Sequence, residues 1–295
     1  DRAELQSLLP DAELTAALDG LIAAELIYRL GLPPEATYLF KHALVRDAAY
    51  ESQLKEKRRA VHARILTALD ADPDIAPEVL AVHAEAAGLT DRAIDLWEAA
   101  GKAAIARPAF KEGISNLRRA IALINPNVEG GERPVIESAL ALQVQLGMAC
   151  LQGIGYAADE TKTEMERALV LADLIGDTPL RFDVIFALWA GRYVRAEHSK
   201  ALPWSQLLLD EAEKSGDTTE LVLANRSRGV FSMMSGRLAE AQSFLDKSLT
   251  VYDPAKHDGL AFRFGQEIGV AAHIYKSLNS LLMGETNRAA LHARE

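Results

Sequence analysis

The chain has 295 residues, of which 49% are hydrophobic and 25% are charged, a balance typical of a folded globular protein. Its formal net charge of −10 disfavours a main surface built for nucleic acid, because acidic proteins repel phosphate backbones. The single cysteine, Cys150, excludes an intramolecular disulfide and a cysteine-rich zinc site, and we expect it to be a small buried hydrophobe.

Hydropathy and the chain ends give expectations about location. No apolar run reaches about 18 residues, so we expect no membrane-spanning segment. Residue 1 is not a methionine and no charged-then-apolar leader follows it, which favours a cytoplasmic protein. Because residues 287–295 also read as helical, we expect both ends to lie within a longer protein.

The first 70 residues predict a mixed unit. Residues 11–30 have the apolar periodicity of one helix, ended by Gly31. Residues 37–40 are rich in β-forming side chains and predict one arm of a small hairpin. Residues 43–69 return to helical periodicity. Helix, short wing and helix are typical of a partial winged-helix unit, and we place a boundary at the proline-containing stretch 70–77.

Residues 77–295 predict an all-α solenoid. The tract 175–178 (IGDT) recurs as 215–218 (SGDT), 40 residues later, and each copy lies between two amphipathic runs. A glycine after a helix supplies the positive φ that ends it, and Asp or Thr can cap the next helix. The repeat therefore predicts pairs of helices joined by tight turns, stacked as an α-solenoid.

A finer spacing supports this prediction. Small residues and a helix stop follow one another at the intervals of a tetratricopeptide unit: Gly229, Gly236, Ala241, Ser248 and Pro254. Gly101 lies 128 residues before Gly229, a distance that fits three units of somewhat over 40 residues. We predict a tetratricopeptide-like array over 77–295, preceded by the partial winged-helix unit over 1–70.

The run 38–52 (YLFKHALVRDAAYES) resembles a stretch of large bacterial signalling proteins. These proteins join a class III adenylate/guanylate cyclase domain to a signal-transduction (STAND) ATPase and a C-terminal tetratricopeptide array. Segments 58–64, 87–94 and 252–257 are similar to the same family. The motif residues in the resemblance are Phe40, Lys41, His42, Asp47 and Tyr50.

The resemblance implies a non-catalytic regulatory and protein-interaction module that controls the cyclase through the ATPase. The same motif is shared with related ATPases that carry DNA-binding or kinase outputs. The chain is therefore open to two other interpretations, the repeat arm of an ATPase-linked transcription regulator or a plain repeat scaffold. In each case the partners are a protein or peptide on the concave repeat surface and the parent's own domains, without a membrane.

Catalytic signatures are missing from the sequence. There is no phosphate-binding G-x-x-x-x-G-K-[ST] loop and no stretch that resembles a cyclase core, so we expect no catalytic residues and no cofactor. Residues 153–158 fit G-x-G-x-x-A, but the helical run before them indicates an interhelical turn rather than a dinucleotide site. The seven histidines form no H-x-x-x-H pair, so we predict no metal site.

The stretch 41–64 has seven basic and three acidic residues, a local charge of +4. Winged helices often bind DNA, but this charge is modest and the rest of the chain is acidic. We therefore favour a solvated helix face, or a contact with the ATPase core, over nucleic acid. For His42 we favour a polar contact that seats the wing on the following helix over a catalytic role.

A stacked helical array displays one helix of each pair on its concave side and binds peptides there. The candidate groove residues are the polar or aromatic positions on these first helices: Trp189, Arg192, Tyr193, Arg195, Asn225, Arg226 and Arg228. An equally weighted alternative places Trp189 in the repeat core and leaves the arginines solvated.

Overall fold

A computed structural model of the chain describes residues 10–32, 36–124, 128, 130–257, 260–264 and 267–294. The strands are β1 (Ile27–Leu30) and β2 (Thr37–Phe40). The helices are α1 (Asp11–Ala23), α2 (Ala43–Glu51), α3 (Lys55–Leu69), α4 (Pro77–Ala87), α5 (Thr90–Ala106), α6 (Phe110–Ile124), α7 (Arg133–Ile154), α8 (Asp159–Ile175), α9 (Leu180–Val194), α10 (His198–Ser215), α11 (Thr218–Met234), α12 (Leu238–Val251), α13 (Pro254–His257), α14 (Ala261–Phe264), α15 (Ile268–Leu282) and α16 (Thr286–His292). The predicted all-α class with at most a short β-hairpin is confirmed.

The hairpin corrects one prediction. Residues 11–30 do not form a single helix, because α1 ends at Ala23 and Glu25 turns the chain with a φ of 58°. Ile27 then begins β1 and pairs antiparallel with Phe40. Ile27 is buried against Leu14 and Leu18 of α1, and burial of this β-branched side chain favours the strand. The prediction that 37–40 forms one arm of a hairpin is confirmed.

The helical run 43–69 is also interrupted. The structure divides it into α2 and α3, because Leu54 adopts an extended conformation with a φ of −57° and a ψ of 142°. The Ser52 hydroxyl bonds back to the Ala49 carbonyl at 2.8 Å and helps to close the end of α2. Periodicity continues through the break, which explains why the sequence pattern did not reveal it.

The turns of the predicted repeat form as expected. Gly176 and Gly216 follow α8 and α10 with φ values of 82° and 68°, the left-handed region that favours glycine. Asp217 accepts a hydrogen bond from the Glu220 amide at 3.0 Å and caps the N-terminus of α11. The helix pairs predicted on either side of the two GDT tracts are therefore confirmed.

The small residues of segment 229–254 bring α11 and α12 together. A Cβ on Gly229 would lie 2.8 Å from the Leu245 side chain, so only glycine permits this approach. Ala241 and Ser248 are fully buried on α12, and the Ser248 hydroxyl donates to the Val222 carbonyl at 2.8 Å. The tetratricopeptide-like spacing thus corresponds to a tightly packed helix pair.

The chain folds as two compact units. The first unit comprises the described parts of Asp1–Arg107 and Ser115–Ile124. Trp97 lies in this unit, 2% exposed, where its indole nitrogen donates to Glu85 at 2.9 Å and Arg119 stacks 4.4 Å from its ring. Residues 70–76 connect α3 with α4 inside the same unit.

The second unit comprises Pro108–Ile114 and the described part of Asn125–Glu295. Its core has two apolar clusters, one between α7, α8 and α9 and the other between α9, α10, α11 and the side chains of Phe264 and Ile268. Helix α9 is buried on several sides and therefore contributes side chains to both clusters. Gly153 lies in the last turn of α7, where a Cβ would meet Phe110 at 2.7 Å, and Gly155 follows with a φ of 98°.

Among the described helices, α7 is long and apolar enough to cross a membrane when judged by length and composition alone, with a mean hydropathy of 1.4. Just over half of that stretch, 56%, is buried inside the protein. A Cβ on Gly147 would lie 2.7 Å from Met165 of α8, which shows how closely α7 packs against its neighbour.

Candidate partner-binding site

A cavity of about 110 Å³ lies in the second unit between α8, α9 and the start of α10. Its floor is apolar, formed by side chains such as Met165 and Leu188, and Gly191 leaves room beside the backbone of Tyr156. The full lining is Tyr156, Thr161, Lys162, Met165, Ala187, Leu188, Gly191, Arg192, Arg195, Glu197 and Lys200. Two of the predicted groove residues, Arg192 and Arg195, therefore lie at one cavity.

The cavity is rich in positive charge. Lys162 and Lys200 join the two arginines, so four cations border a space lined by one carboxylate, that of Glu197. Three carboxylates hold these cations at the rim. Arg195 contacts Asp159 at 2.8 Å, Lys200 contacts Glu197 at 3.4 Å, and both Arg192 and Lys162 lie 3.8 Å from Glu166.

The Arg192 guanidinium is fixed by its surroundings. It donates to the Leu188 carbonyl at 2.9 Å and stacks on Trp204 with 4.2 Å between the guanidinium carbon and the ring centroid. The arginine is only 16% exposed, which leaves little freedom to reorganise. A fixed planar donor beside a cavity is well suited to bind a carboxylate with two hydrogen bonds.

Two other predicted groove residues lie deeper. Trp189 is 4% exposed and belongs to the apolar core, where it stacks on Tyr193 with ring centroids 5.6 Å apart. Tyr193 accepts a hydrogen bond from the Tyr275 hydroxyl at 3.1 Å, and burial raises the pKa of Tyr193 well above its ordinary value. Neither residue lines the cavity.

The three α11 candidates point to three different places. Asn225 borders a separate open groove of about 620 Å³ along α12 and donates to the Leu221 carbonyl at 2.8 Å. Arg226 is 1% exposed inside the second unit. Arg228 lies between α11 and α12, 3.6 Å from Glu240 and 14% exposed. The structure thus brings Arg192 and Arg195 together but does not bring Asn225 to the same cavity.

The motif residues of the resemblance lie on the hairpin and on α2. Phe40 ends β2 and is 42% exposed, while Lys41 lies 3.5 Å from Glu25. His42 occupies the position before α2, and its side chain makes no capping hydrogen bond. A polar contact from His42 to the helix therefore does not form at the helix start.

Two further motif residues lie on α2. Asp47 pairs with its neighbour Arg46 at 2.8 Å. Tyr50 contacts the His62 ring at 3.1 Å and carries the Arg58 guanidinium 4.8 Å above its ring. The motif thus helps to join α2 to α3.

Sequence reasoning missed the lysines and the aromatic support of the cavity. Lys162 and Lys200 each lie at the start of a helix, and Trp204 follows Pro203 inside α10. None of these residues belongs to the first helix of a pair, where the repeat pattern predicts groove residues. Tyr156 was placed only in a turn, yet it lines the cavity and donates to the Phe264 carbonyl.

The histidines form two close pairs that spacing did not predict. The Nδ1 atoms of His62 and His83 are 2.9 Å apart, and those of His273 and His292 are 3.3 Å apart. In the part of the chain that the structure describes, no group of three His, Cys, Asp or Glu side chains could hold a metal ion. Cys150 is buried, as expected.

No protein-family model matches the chain. The chain is 27% identical over 271 residues to an uncharacterized protein of Rhizobium meliloti (strain 1021), an alignment that covers 88% of this chain and 26% of that protein. The chain therefore spans about a quarter of the length of this relative.

Among solved structures, the chain is similar to BtubC (BKLC) from P. vanneervenii, with a TM-score of 0.55 and 11% identity over 82% of this chain and 89% of that one. The chain has a helical-repeat fold. It also resembles a signal transduction ATPase with numerous domains and a tetratricopeptide repeat sensor from Pyrococcus horikoshii, at 14% identity. That match covers 100% of this chain and 62% of the ATPase, with a TM-score of 0.38.

Proposed function

We propose that this chain is a non-catalytic regulatory and protein-interaction module, and that its cationic cavity receives an acidic segment of a partner protein. One observation carries the proposal: Lys162, Arg192, Arg195 and Lys200 converge from three helices on one preformed cavity. Convergent cations around a concave, partly apolar space are typical of a binding site. A scattered set of solvated surface charges lacks such convergence.

The ion pairs at the rim can be exchanged for a ligand. Asp159 is 92% exposed and Glu166 is 48% exposed, so water and salt screen these pairs from the carboxylate side, although Arg195 and Arg192 are only 21% and 16% exposed. A partner carboxylate that enters the cavity binds the same cations in a less solvated environment, where charge-assisted hydrogen bonds are stronger. A space of about 110 Å³ corresponds to roughly four water molecules, which suits a carboxylate side chain.

We propose further that the module belongs to a cytoplasmic multidomain signalling protein and controls an adenylate/guanylate cyclase through a STAND ATPase. Two observations support this part: the resemblance of residues 38–52 to that family, and the greater length of the Rhizobium relative, of which the alignment covers only 26%. A partner on the repeats would act by binding one ATPase state more tightly than another, since only differential affinity shifts an equilibrium.

The partner site is tested by binding of fluorescein-labelled acidic peptides to the purified chain, measured by fluorescence anisotropy. Peptides rich in Glu and Asp are compared with counterparts that carry Gln and Asn. We expect Arg192→Ala/Arg195→Ala to weaken binding of the acidic peptide by at least about tenfold, the equivalent of one charge-assisted pair.

The matched control is Lys256→Ala/Arg288→Ala, which removes the same charge from two exposed i,i+3 pairs elsewhere in the second unit. It should leave the affinity within about twofold, because exposed pairs of this kind are weak. An equal loss of affinity in both double variants would show that the peptide responds only to net charge, and the proposed site would be rejected.

The regulatory role is tested with the full-length protein that contains this chain. Cyclic-nucleotide production in the presence of ATP is compared with and without residues 1–295. A change in either direction supports control of the cyclase. Unchanged cyclase activity favours a plain scaffold, and a full-length protein without any cyclase activity favours the ATPase-linked transcription regulator.

A further inference from the structure

The interior of the second unit contains a charged side chain with no described partner. Arg226 of α11 is 1% exposed, and its Nε, Nη1 and Nη2 atoms all lack a hydrogen-bond partner among the described residues. A guanidinium offers five N–H donors and remains charged, so its burial without an acceptor is strongly unfavourable. Such a group points to an acceptor that completes the site.

The walls around Arg226 are aromatic. Its guanidinium carbon lies 5.8 Å from the centroid of the Phe186 ring, and the phenols of Tyr156, Tyr193 and Tyr275 are close enough to interact with it electrostatically. The Tyr156 hydroxyl donates to the Phe264 carbonyl, and the Tyr275 hydroxyl donates to Tyr193 at 3.1 Å. The Phe186 ring and these phenols provide no negative charge at neutral pH.

The carboxylate that acts on Arg226 is that of Glu267, and it is engaged elsewhere. Its oxygens accept hydrogen bonds from the Val270 amide at 2.5 Å and from the Tyr252 hydroxyl at 3.3 Å, which ties it to the start of α15. Burial lowers the pKa of Arg226 to about 10, in agreement with a cation that is poorly compensated.

A second unpartnered donor belongs to the same aromatic cluster. The indole nitrogen of Trp189 is buried and has no hydrogen-bond partner among the described residues. The Trp189 and Phe186 ring centroids are 5.9 Å apart, so the Phe186 ring borders both the indole and the guanidinium. The cluster therefore contains several free donors and needs an acceptor.

We propose that Arg226 is the anion-binding residue of an internal site for a small monocarboxylate, walled by Phe186, Trp189, Tyr193 and Tyr275. The planar guanidinium matches a carboxylate with two parallel hydrogen bonds, and the aromatic rings suit an apolar body on the ligand. A single buried cation neutralises a single negative charge, so a dianion such as sulfate or hydrogen phosphate would bring one uncompensated charge into the core. This site is inferred without use of the partner cavity, although Tyr156 lines that cavity and also interacts with Arg226.

The test measures thermal unfolding of the purified chain with sodium benzoate, sodium acetate, sodium sulfate or sodium phosphate, each compared with sodium chloride at equal ionic strength. We expect benzoate or acetate to raise the Tm in a saturable manner, by about 5 °C at a hundred times Kd. Sulfate and phosphate stabilise proteins by exclusion from their surface, so we expect them to raise the Tm without saturation and equally in wild type and Arg226→Met.

Three variants locate the effect. Arg226→Met removes the charge and should abolish the rise, whereas Arg288→Met, an exposed control in the same unit, should retain it. Arg226→Lys keeps the charge but loses the planar pair of donors. It provides the test of the site if Arg226→Met does not fold. We expect it to weaken carboxylate binding by at least about tenfold.

Three results would overturn the proposal. The first is a Tm that no carboxylate raises above the chloride control, which would leave buried water as the acceptor. The second is an undiminished rise in Arg226→Met or Arg226→Lys. The third is a saturable rise with the sulfate dianion that Arg226→Met abolishes, because the single charge of Arg226 could not explain it.

Discussion

The Nδ1 atoms of His62 and His83 lie 2.9 Å apart, and the pair joins α3 to α4 in the first unit. When one Nδ1 atom carries a proton and the other does not, the two form a hydrogen bond. When both rings are fully protonated, two imidazolium cations face each other and repel. On its other side, the Nε2 atom of His62 lies 3.1 Å from the Tyr50 hydroxyl. Burial lowers the pKa of His62, and the nearby His83 and Arg58 lower it further.

This geometry predicts an acid-sensitive first unit. Because the folded-state pKa of His62 is below the ordinary value of 6.5, the unfolded chain binds the proton more readily. Stability is therefore full above about pH 6.5 and falls as the pH drops from there towards the lower, folded-state pKa. Hydrogen exchange of the α3 and α4 amides, compared at about pH 7.5 and about pH 5.5 after correction for the intrinsic rate, should show reduced protection in acid.

The His83→Gln variant tests the cause, because glutamine can still form a hydrogen bond to His62 but does not titrate. We expect it to reduce the pH dependence of protection in α3 and α4. The control, His42→Gln, lies outside both histidine pairs and should retain the wild-type dependence. An unchanged dependence in His83→Gln would rule out the pair as its origin.

Gly229→Ala is expected to destabilise the second unit. The added Cβ would lie 2.8 Å from Leu245 and 3.3 Å from the Ala241 carbonyl, so α11 and α12 must move apart. Overpacking of this kind costs about 1–3 kcal/mol. The free energy of unfolding in urea measures the effect.

The control for this prediction is Gly20→Ala in α1, where a Cβ would meet nothing within 4 Å. Alanine favours the helix there, so stability should rise by about 0.5–1 kcal/mol. Stabilisation by both substitutions would show that α11 and α12 tolerate a wider separation.

Asp217→Ala removes the carboxylate that caps α11 and should lower the free energy of unfolding by about 1 kcal/mol. Asp217→Asn keeps an acceptor at the same position and should remain within a few tenths of a kcal/mol. Equal losses in the two variants would assign the effect to charge rather than to the cap. Urea unfolding followed by circular dichroism distinguishes these outcomes.

Arg263→Met removes the partner of a largely buried carboxylate. Arg263 binds both oxygens of Asp183, at 2.9 Å and 2.8 Å, and the Asp183 side chain is 12% exposed. We expect a loss of about 1–2 kcal/mol at neutral pH, less than for a fully buried pair because Arg263 is 43% exposed.

The same variant has a defined pH dependence. Burial raises the pKa of Asp183 despite the opposing effect of Arg263, and loss of the arginine should raise it further. Since a carboxyl with a raised folded-state pKa binds its proton more readily when folded, the difference between variant and wild type should shrink as the pH falls from about 7 to about 4.5. Arg288→Met, at an exposed pair, should show little loss at either pH. A constant difference for Arg263→Met across this pH range would contradict the role of Asp183.

Local signals in the sequence were sufficient for the repeat region. Gly176 and Gly216 end helices because their positive φ suits glycine, and Asp217 caps α11 through an atom only three residues from its partner. The glycine at position 229 predicts a close helix contact, and the structure identifies Leu245 as the residue that it contacts. Each of these features depends on interactions within a turn or on the size of one residue, which a sequence displays directly.

Long-range interactions decided the remainder. Ile27 joins a strand rather than extending α1, because its pairing with Phe40 and its burial beside Leu14 outweigh the local helical pattern. The motif residue Tyr50 reaches His62 only because α2 turns onto α3. Periodicity carries no information about which distant side chains will meet.

The helical class, the glycine turns and the candidate arginines Arg192 and Arg195 follow from local sequence patterns. Only the tertiary structure showed that these two border a cavity with Lys162 and Lys200, while Arg226, from the same list of candidates, is buried in an aromatic core. The reason is physical: an arginine on an amphipathic helix has the same local pattern on either face. Its exposure is set by the helices that pack around it.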